Sequence, residues 1–351
     1  MISELHYIEQ LLKSEVSFVA YRKPFDNIVT IMVQQNNFLY KLDNYSQKGF
    51  VVAPFDIQED AFLFPLEKCE ISTIPISDKE KELIPVKDIK ENKTLIEKAK
   101  TYHINLVNKG IDFLGKEKAR KVVLSRKEEI YIGQLLKSEL FSELIQNYPS
   151  TFVSYWHHPE VGSWMGATPE NLLSVQNNVF KTMSLAGTQK FKGIQDVEWG
   201  DKEKEEQQIV TDFILNELKD FDLKTSKPFT IKAGGLLHIC TEIRGELSSG
   251  HQLETLINKL HPTPAVCGLP KYKAREFILE NENYDRDFYA GFLGELNINN
   301  TSDLYVNLRC MQFNGSKANL YIGGGITSDS DPFSEWKETV AKSEVIKRFL
   351  F

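Results

Sequence analysis

The sequence predicts an α+β fold built on large antiparallel sheets. Two observations carry that expectation. Strand-like segments come in adjacent groups, such as TFVSYWHH, SWMGATP, NLLSVQN and VFKTMSLAG within residues 151–187. Helical patterns separate those groups instead of alternating strictly with single strands, as a doubly wound sheet would require. A Gly triplet at 323–325, between a strand and a helix, is no dinucleotide fingerprint, because that needs G-x-G-x-x-G early in a βαβ unit.

In chain order, MISELHYIEQLLKSE reads as an amphipathic helix with acidic residues, unlike a signal peptide. NIVTIMV, GFVVAPF and AFLFPL read as strands. From Ile71 to Glu91 the chain mixes Lys, Glu, Pro and Ile with little periodicity and reads as an irregular connection. Leu95, Ala99, Ile104, Leu106 and Val107 mark a helix over Asn92–Leu114. KVVLSRKEEIYI is a strand, a helix lies near Ile132–Asn147, and the four strands quoted above follow. Helices are expected at Lys202–Leu218 and Leu253–Leu260, then strands at GFLGELNI, DLYVNLRCMQF and ANLYIGGGI. A last helix begins at DPFSEWKETVAKSE, where Asp331 suits the N-cap and Pro332 the first helical position.

A length of 351 residues admits one large domain or two ordinary ones. With 41% hydrophobic and 26% charged residues, the composition is that of a soluble globular protein. The net charge is −7, from 42 basic and 49 acidic residues, and no basic stretch suggests a nucleic-acid partner. An anionic ligand would therefore need local Lys, Arg or a metal to hold it. Cys69, Cys240, Cys267 and Cys310 form no C-x-x-C pair, against zinc-ribbon or thioredoxin chemistry. No apolar run reaches membrane-spanning length. A reduced, cytoplasmic protein with no membrane association is expected.

Two helices carry an unusual stripe. At 100° per residue, Glu335, Glu338, Lys342, Val345 and Phe349 share one face, charged at one end and apolar at the other. Glu203, Glu206, Val210 and Phe213 repeat the offsets in DKEKEEQQIVTDFILNEL. A solvated face would stay polar, so both carboxylate pairs are expected to point inward. Each pair could still be half solvated, neutralised locally by Lys202 or Lys342. Buried carboxylates without a counter-ion are costly, and an all-oxygen donor set favours a hard cation, Mg²⁺ over Zn²⁺.

Several stretches together resemble the chorismate-utilising enzymes. They are KVVLSR (121–126), GATPE (166–170), LAGT (185–188), the DKEKEEQQIV helix, LLHICTEIRG (236–245), HPTPAVCGLPK (261–271), RDFYAGFLG (286–294), LYVNLRC (304–310) and IGGGI with EWKETVAK. The resemblance is close over Lys121–Lys342. It implies a single catalytic domain over 1–351, more divergent over 1–94, with the motifs in 95–351. Two stacked antiparallel sheets flanked by helices, with a site in a cleft beside them, are implied as well.

By the same resemblance, Mg²⁺ would be held by Glu206 and Glu338, with Glu203 and Glu335 behind them holding metal-bound waters. The substrate would be chorismate, a dianion. Tyr289, Arg309 and Lys342 match positions that contact its carboxylates, and Gly323, Gly324 and Gly325 would let backbone N–H groups approach one of them. Thr188, His261 and Ala265 would complete the substrate pocket, Thr241 would help shape it, and His238 would be structural. Glu170 matches the general acid that protonates the departing C4 hydroxyl, so a raised pKa is expected. Lys121 matches the general base that activates water for attack at C2, so a lowered pKa is expected.

Within the family, ammonia-using anthranilate enzymes usually carry Gln where this chain has Lys121. Aminodeoxychorismate synthases that attack with lysine carry it in P-I-K-G-T, where this chain has Ala186. An isochorismate synthase for menaquinone or siderophore synthesis is thus expected, with salicylate synthase or a catalytically silent chorismate-binding subunit as alternatives. A short N-terminal part favours the plain synthase over salicylate synthase. Gln207 stands where the family usually has His after the metal glutamate. A monomer with no obligatory protein partner is expected.

Overall fold

The computed structural model describes residues 2–76, 93–117, 119–133, 135–233, 235–248 and 252–347. Its strands form a nine-stranded and a ten-stranded sheet, with antiparallel neighbours throughout. The nine-stranded sheet runs Gly268–Leu269, Lys121–Tyr131, Lys317–Ile326, Cys310–Asn314, Gly162–Thr168, Phe152–His158, Phe18–Arg22, Ile28–Gln34, Cys69–Pro75. The other runs Lys224–Thr225, Leu236–Glu246, Val179–Lys190, Asn171–Gln176, Thr301–Val306, Phe292–Ile298, Gly49–Ala53, Phe62–Pro65, Tyr40–Lys41, with Phe229–Ala233 beside Leu236–Glu246.

The sheets stack through aromatic side chains. Phe152 meets Tyr305 across the interface with ring centroids 4.3 Å apart, and Phe62 meets Trp156 at 5.4 Å. Such burial contributes about 1.5–3 kcal/mol per large apolar side chain. The outer face of the nine-stranded sheet is covered by helices Ile2–Lys13 and Lys137–Asn147, which enclose a second apolar cluster around Phe18, Phe141 and Tyr155. Strands buried on both faces have no polar side to show, which is why FVAYR at 18–22 is buried throughout. The first 76 residues supply strands to both sheets, so one domain results.

Elsewhere the structure departs from the expected elements. The stretch beginning at Ile71 continues an edge strand, Cys69–Pro75, paired with Ile28–Gln34; residues 77–91 of the expected irregular connection lie outside the described residues. That strand is mostly exposed, so no apolar alternation marks it. DLYVNLRCMQF is two strands, Thr301–Val306 and Cys310–Asn314, in different sheets. The chain changes sheet at 307–309, where Arg309 adopts φ +50°. The strand ANLYIGGGI, glycine triplet included, is found as expected within Lys317–Ile326. The helix near Ile132 starts at Lys137, and helix Lys271–Asn281 and strands Phe18–Arg22 and Leu236–Glu246 complete the fold.

Three helices frame one end of the sandwich. Helix Lys93–Glu117 packs on the strand Lys121–Tyr131 and on helix Pro332–Lys347, and helix Asp201–Glu217 packs on Val179–Lys190 and Leu236–Glu246. A buried ion pair locks the first strand: Arg286 donates to Glu282 at 2.6 Å and to the Val123 carbonyl at 2.7 Å, while the Ser125 N–H donates to Glu282 at 2.7 Å. Breaking such a pair is costly because it strands a buried charge.

Candidate active site

A cavity of ≈ 160 Å³ opens where strands of both sheets approach those helices. Lys121, Glu170, Thr188, Glu206, Ala265, Tyr289, Arg309, Gly323, Gly324, Gly325 and Lys342 all line it. Residues spread over more than two hundred positions thus converge, from strands of both sheets and from the helices beside them.

Lys121 begins its strand and is 1% exposed. Its Nζ donates to Glu206 Oε1 at 2.9 Å. Burial alone would raise the Glu206 carboxyl, but Lys121, then Lys342 and Lys202, bring it below its ordinary value. Glu170 follows the strand Gly162–Thr168 and is 5% exposed. Burial pushes its carboxyl up to about 7 against the opposing charges of Lys121 and Arg309, and Thr263 Oγ1 lies 3.5 Å from its Oε1. Near neutrality Glu170 therefore carries a proton a substantial part of the time, as an acid must.

The second helix supplies Glu335, Glu338 and Lys342. Lys342 Nζ donates to Glu338 Oε1 at 2.8 Å and to the Gly323 carbonyl at 3.0 Å. Burial opposes its charge, yet Glu338, Glu206 and Glu335 raise its pKa overall. Lys342 lowers the Glu338 carboxyl. Glu338 is 41% exposed and borders a recess that shares Thr188, Leu236 and Lys342 with the cavity, so it stands at the mouth. Glu335 is buried, accepts from Ser330 Oγ at 2.7 Å and lies 3.6 Å from Lys202 Nζ on the other helix. Burial and the neighbouring Glu338 raise its pKa. Glu203 is half-buried with Cβ against Gly187. Of the four helix glutamates only Glu206 lines the cavity; Glu203, Glu335 and Glu338 do not. On the final helix Val345 is without a described side chain, and Phe349 lies outside the described residues.

Two of the three glycines make room for side chains of the site. A Cβ at Gly323 would lie 2.6 Å from Tyr289 Oη, and one at Gly325 would lie 2.8 Å from both Glu206 Oε1 and Lys121 Cε. The strand Cys310–Asn314 pairs this strand only as far as Leu320, so beyond it one backbone edge faces the cavity. Tyr289 is buried and stacks on Tyr321 with centroids 5.4 Å apart.

Arg309 points into the cavity from the change of sheet. Its Nη2 donates to His238 Nε2 at 2.7 Å, and His238 Nδ1 donates to the Gly187 carbonyl at 2.9 Å. Burial pushes His238 down to about 3 and Arg309 down to about 10. A neutral imidazole can accept from one side and donate to the other, so His238 orients Arg309. His238 thus lines the cavity, where the sequence had marked it as structural only. His261 departs in the opposite direction. It is buried off the cavity, with Nε2 3.1 Å from the Pro54 carbonyl and its ring edge-on to Phe292. The HPTP segment reaches the site through Thr263, two residues on. Thr241 also stands back from the cavity, bonded to Gln207 at 2.8 Å.

No cluster of three or more His, Cys, Asp or Glu among the described residues is arranged to cage a metal. Mg²⁺ needs none, because it is commonly held by one or two carboxylates with waters and substrate oxygens. Glu206 and Glu338 fit that chemistry: both carboxyls are brought below their ordinary value, and both raise the pKa of Lys342.

Residues 65–351 match the chorismate binding enzyme family. The chain is 30% identical to the isochorismate synthase EntC of Escherichia coli (strain K12) over 234 residues, 63% of this chain and 60% of EntC. It is 31% identical to the isochorismate synthase DhbC of Bacillus subtilis (strain 168) over 278 residues, 71% of this chain and 70% of that one. The match thus spans less than two thirds of EntC. The solved structure of MenF, the menaquinone-specific isochorismate synthase of Escherichia coli, has the same fold, with a TM-score of 0.79 at 20% identity over 96% of this chain and 89% of MenF.

Proposed function

The chain belongs to the chorismate binding enzyme family, and on that premise we propose that it is an isochorismate synthase, converting chorismate to isochorismate. The observation that carries this reading is the meeting of Lys121 and a carboxyl held near neutrality, Glu170, in one cavity. Glu170 in its acid form gives its proton to the C4 hydroxyl, which leaves as water. Lys121 Nζ in its amine form takes a proton from the water that attacks C2. One water enters, one leaves, and the ring double bonds shift, so the balance is an isomerisation. A silent binding subunit would have no use for this pair.

Arg309, fixed by His238, presents its guanidinium to one substrate carboxylate, and Lys342 and Tyr289 stand beside the glycine strand for the other. Mg²⁺ bound by Glu206 and Glu338, with Glu203 and Glu335 behind them, would supply positive charge at the ring carboxylate that favours loss of the C4 hydroxyl. No helix among the described residues is long and apolar enough to cross a membrane. Our reading has the enzyme acting alone in the cytoplasm, its product entering menaquinone or siderophore synthesis.

The test is product analysis after incubation with chorismate and Mg²⁺, with and without ammonium. Isochorismate alone is expected. Salicylate with pyruvate would move the chain to the lyase branch, and anthranilate in the ammonium reaction would remove water as the nucleophile.

A further inference from the structure

Gln207 follows Glu206 directly on the helix Asp201–Glu217, and there the side chain turns from the cavity into the sheet. Its Nε2 lies 2.9 Å from Ser184 Oγ, 2.9 Å from Thr211 Oγ1 and 2.8 Å from Thr241 Oγ1. Ser184 and Thr241 are cross-strand partners beneath the helix, and Thr211 is one turn along the helix itself. All four side chains are buried.

Most of the donors pair within the group. A carboxamide nitrogen has two protons, which Ser184 and Thr241 accept. The Ser184 hydroxyl then donates to Thr211 Oγ1 at 2.7 Å, and the Thr211 hydroxyl donates to the main-chain oxygen of Gln207 at 3.1 Å. A buried network of this kind favours one geometry, and removing a member leaves others unpaired. Nearby, Gly187 has φ +69° and a Cβ there would lie 3.1 Å from Glu203 Cβ, so the helix is seated as near the strand as a glycine permits.

We propose that Gln207 is a positioning residue whose carboxamide sets the height and rotation of this helix on the sheet, and with them the place where the Glu206 carboxylate meets Lys121 and a bound cation. The proposal rests on the reading of Glu206 as a metal ligand. Gln207→Met keeps the length of the side chain and removes its hydrogen bonds. Mg²⁺ is titrated by calorimetry into the wild type, Gln207→Met and Glu206→Gln, and the melting temperature of each is recorded. The Gln207 variant is expected to bind Mg²⁺ about tenfold more weakly, as for other residues that orient metal ligands, while its chorismate KM at saturating Mg²⁺ stays near that of the wild type. A lowered melting temperature with unchanged Mg²⁺ affinity would overturn the proposal alone. A wild type that binds no Mg²⁺, or a Glu206→Gln variant that binds it normally, would overturn the metal reading and this proposal with it. Should Gln207→Met not fold, Thr241→Val removes one acceptor, and the same titration decides: weaker binding supports the role and equal binding refutes it.

Discussion

Lys121 Nζ and Glu206 Oε1 stand 2.9 Å apart although 85 residues separate them in the chain. The contact joins the strand Lys121–Tyr131 of one sheet to the helix packed on the other. It couples the proposed base to a proposed metal ligand, so substitution at either residue disturbs both.

Replacing Lys121 with Met keeps much of its volume and removes the proposed base. General-base catalysis contributes about 10²–10⁴-fold, so kcat for isochorismate formation should fall by at least about a hundredfold with the circular dichroism spectrum retained. A variant turning over near the wild-type rate would remove Lys121 from the mechanism.

Glu170 titrates near pH 7, and in the proposed mechanism its acid form is the reactive one. Activity should therefore decline as pH rises through about 7, and Glu170→Gln should lose both about a hundredfold in kcat and that alkaline limb. Stability follows the same sign. The folded-state value lies above that of an ordinary carboxyl, so the group's stabilising contribution is full below about 4.5 and is lost as pH rises through about 7. Thermal melts should show Glu170→Gln gaining on the wild type between pH 5 and pH 8.

At Gly325 the added methyl of Gly325→Ala would meet Glu206 and Lys121 at once. Both side chains must shift, and displacement of about 1 Å can cost about a hundredfold in rate. A loss of kcat/KM on that scale is expected from steady-state kinetics, and unchanged kinetics would mean the pair tolerates displacement.

Leucine in place of His238 removes the acceptor that holds Arg309. Arg309 binds a substrate carboxylate in this account and does no proton transfer, so KM for chorismate should rise more than kcat falls. His238 stays neutral from mildly acid pH upward, and no histidine-like limb near pH 6.5 should disappear from the wild-type profile on its replacement.

Much of this site was legible in the sequence because helices advertise their buried faces. Periodicity marked Glu206, which lines the cavity, and Glu335, which is buried, and the motifs named Lys121 and Glu170; Glu203 is only half-buried and Glu338 is 41% exposed, so neither stripe points wholly inward. What escaped depends on pairing between distant strands. Nothing local tells DLYVNLRCMQF to change sheets, since Arg309 is not a residue type that signals a positive φ. The register of Lys317–Ile326 against Lys121–Tyr131, which sets the glycine triplet opposite Val123–Ser125, was equally hidden. The helix KYKAREFILEN has a weak apolar face, with only Lys271, Ala274 and Ile278 buried, and so gave little signal. His238 and His261 exchanged expected positions because a histidine's neighbours in sequence do not reveal whether its ring meets an arginine or a phenylalanine.

Isotope labelling in H₂¹⁸O tests the central claim most directly. Isochorismate isolated early in the reaction should be two mass units heavier, with the label in the C2 hydroxyl, because that oxygen comes from the attacking water. Unlabelled isochorismate would contradict water attack at C2 and, with it, the roles assigned to Lys121 and Glu170.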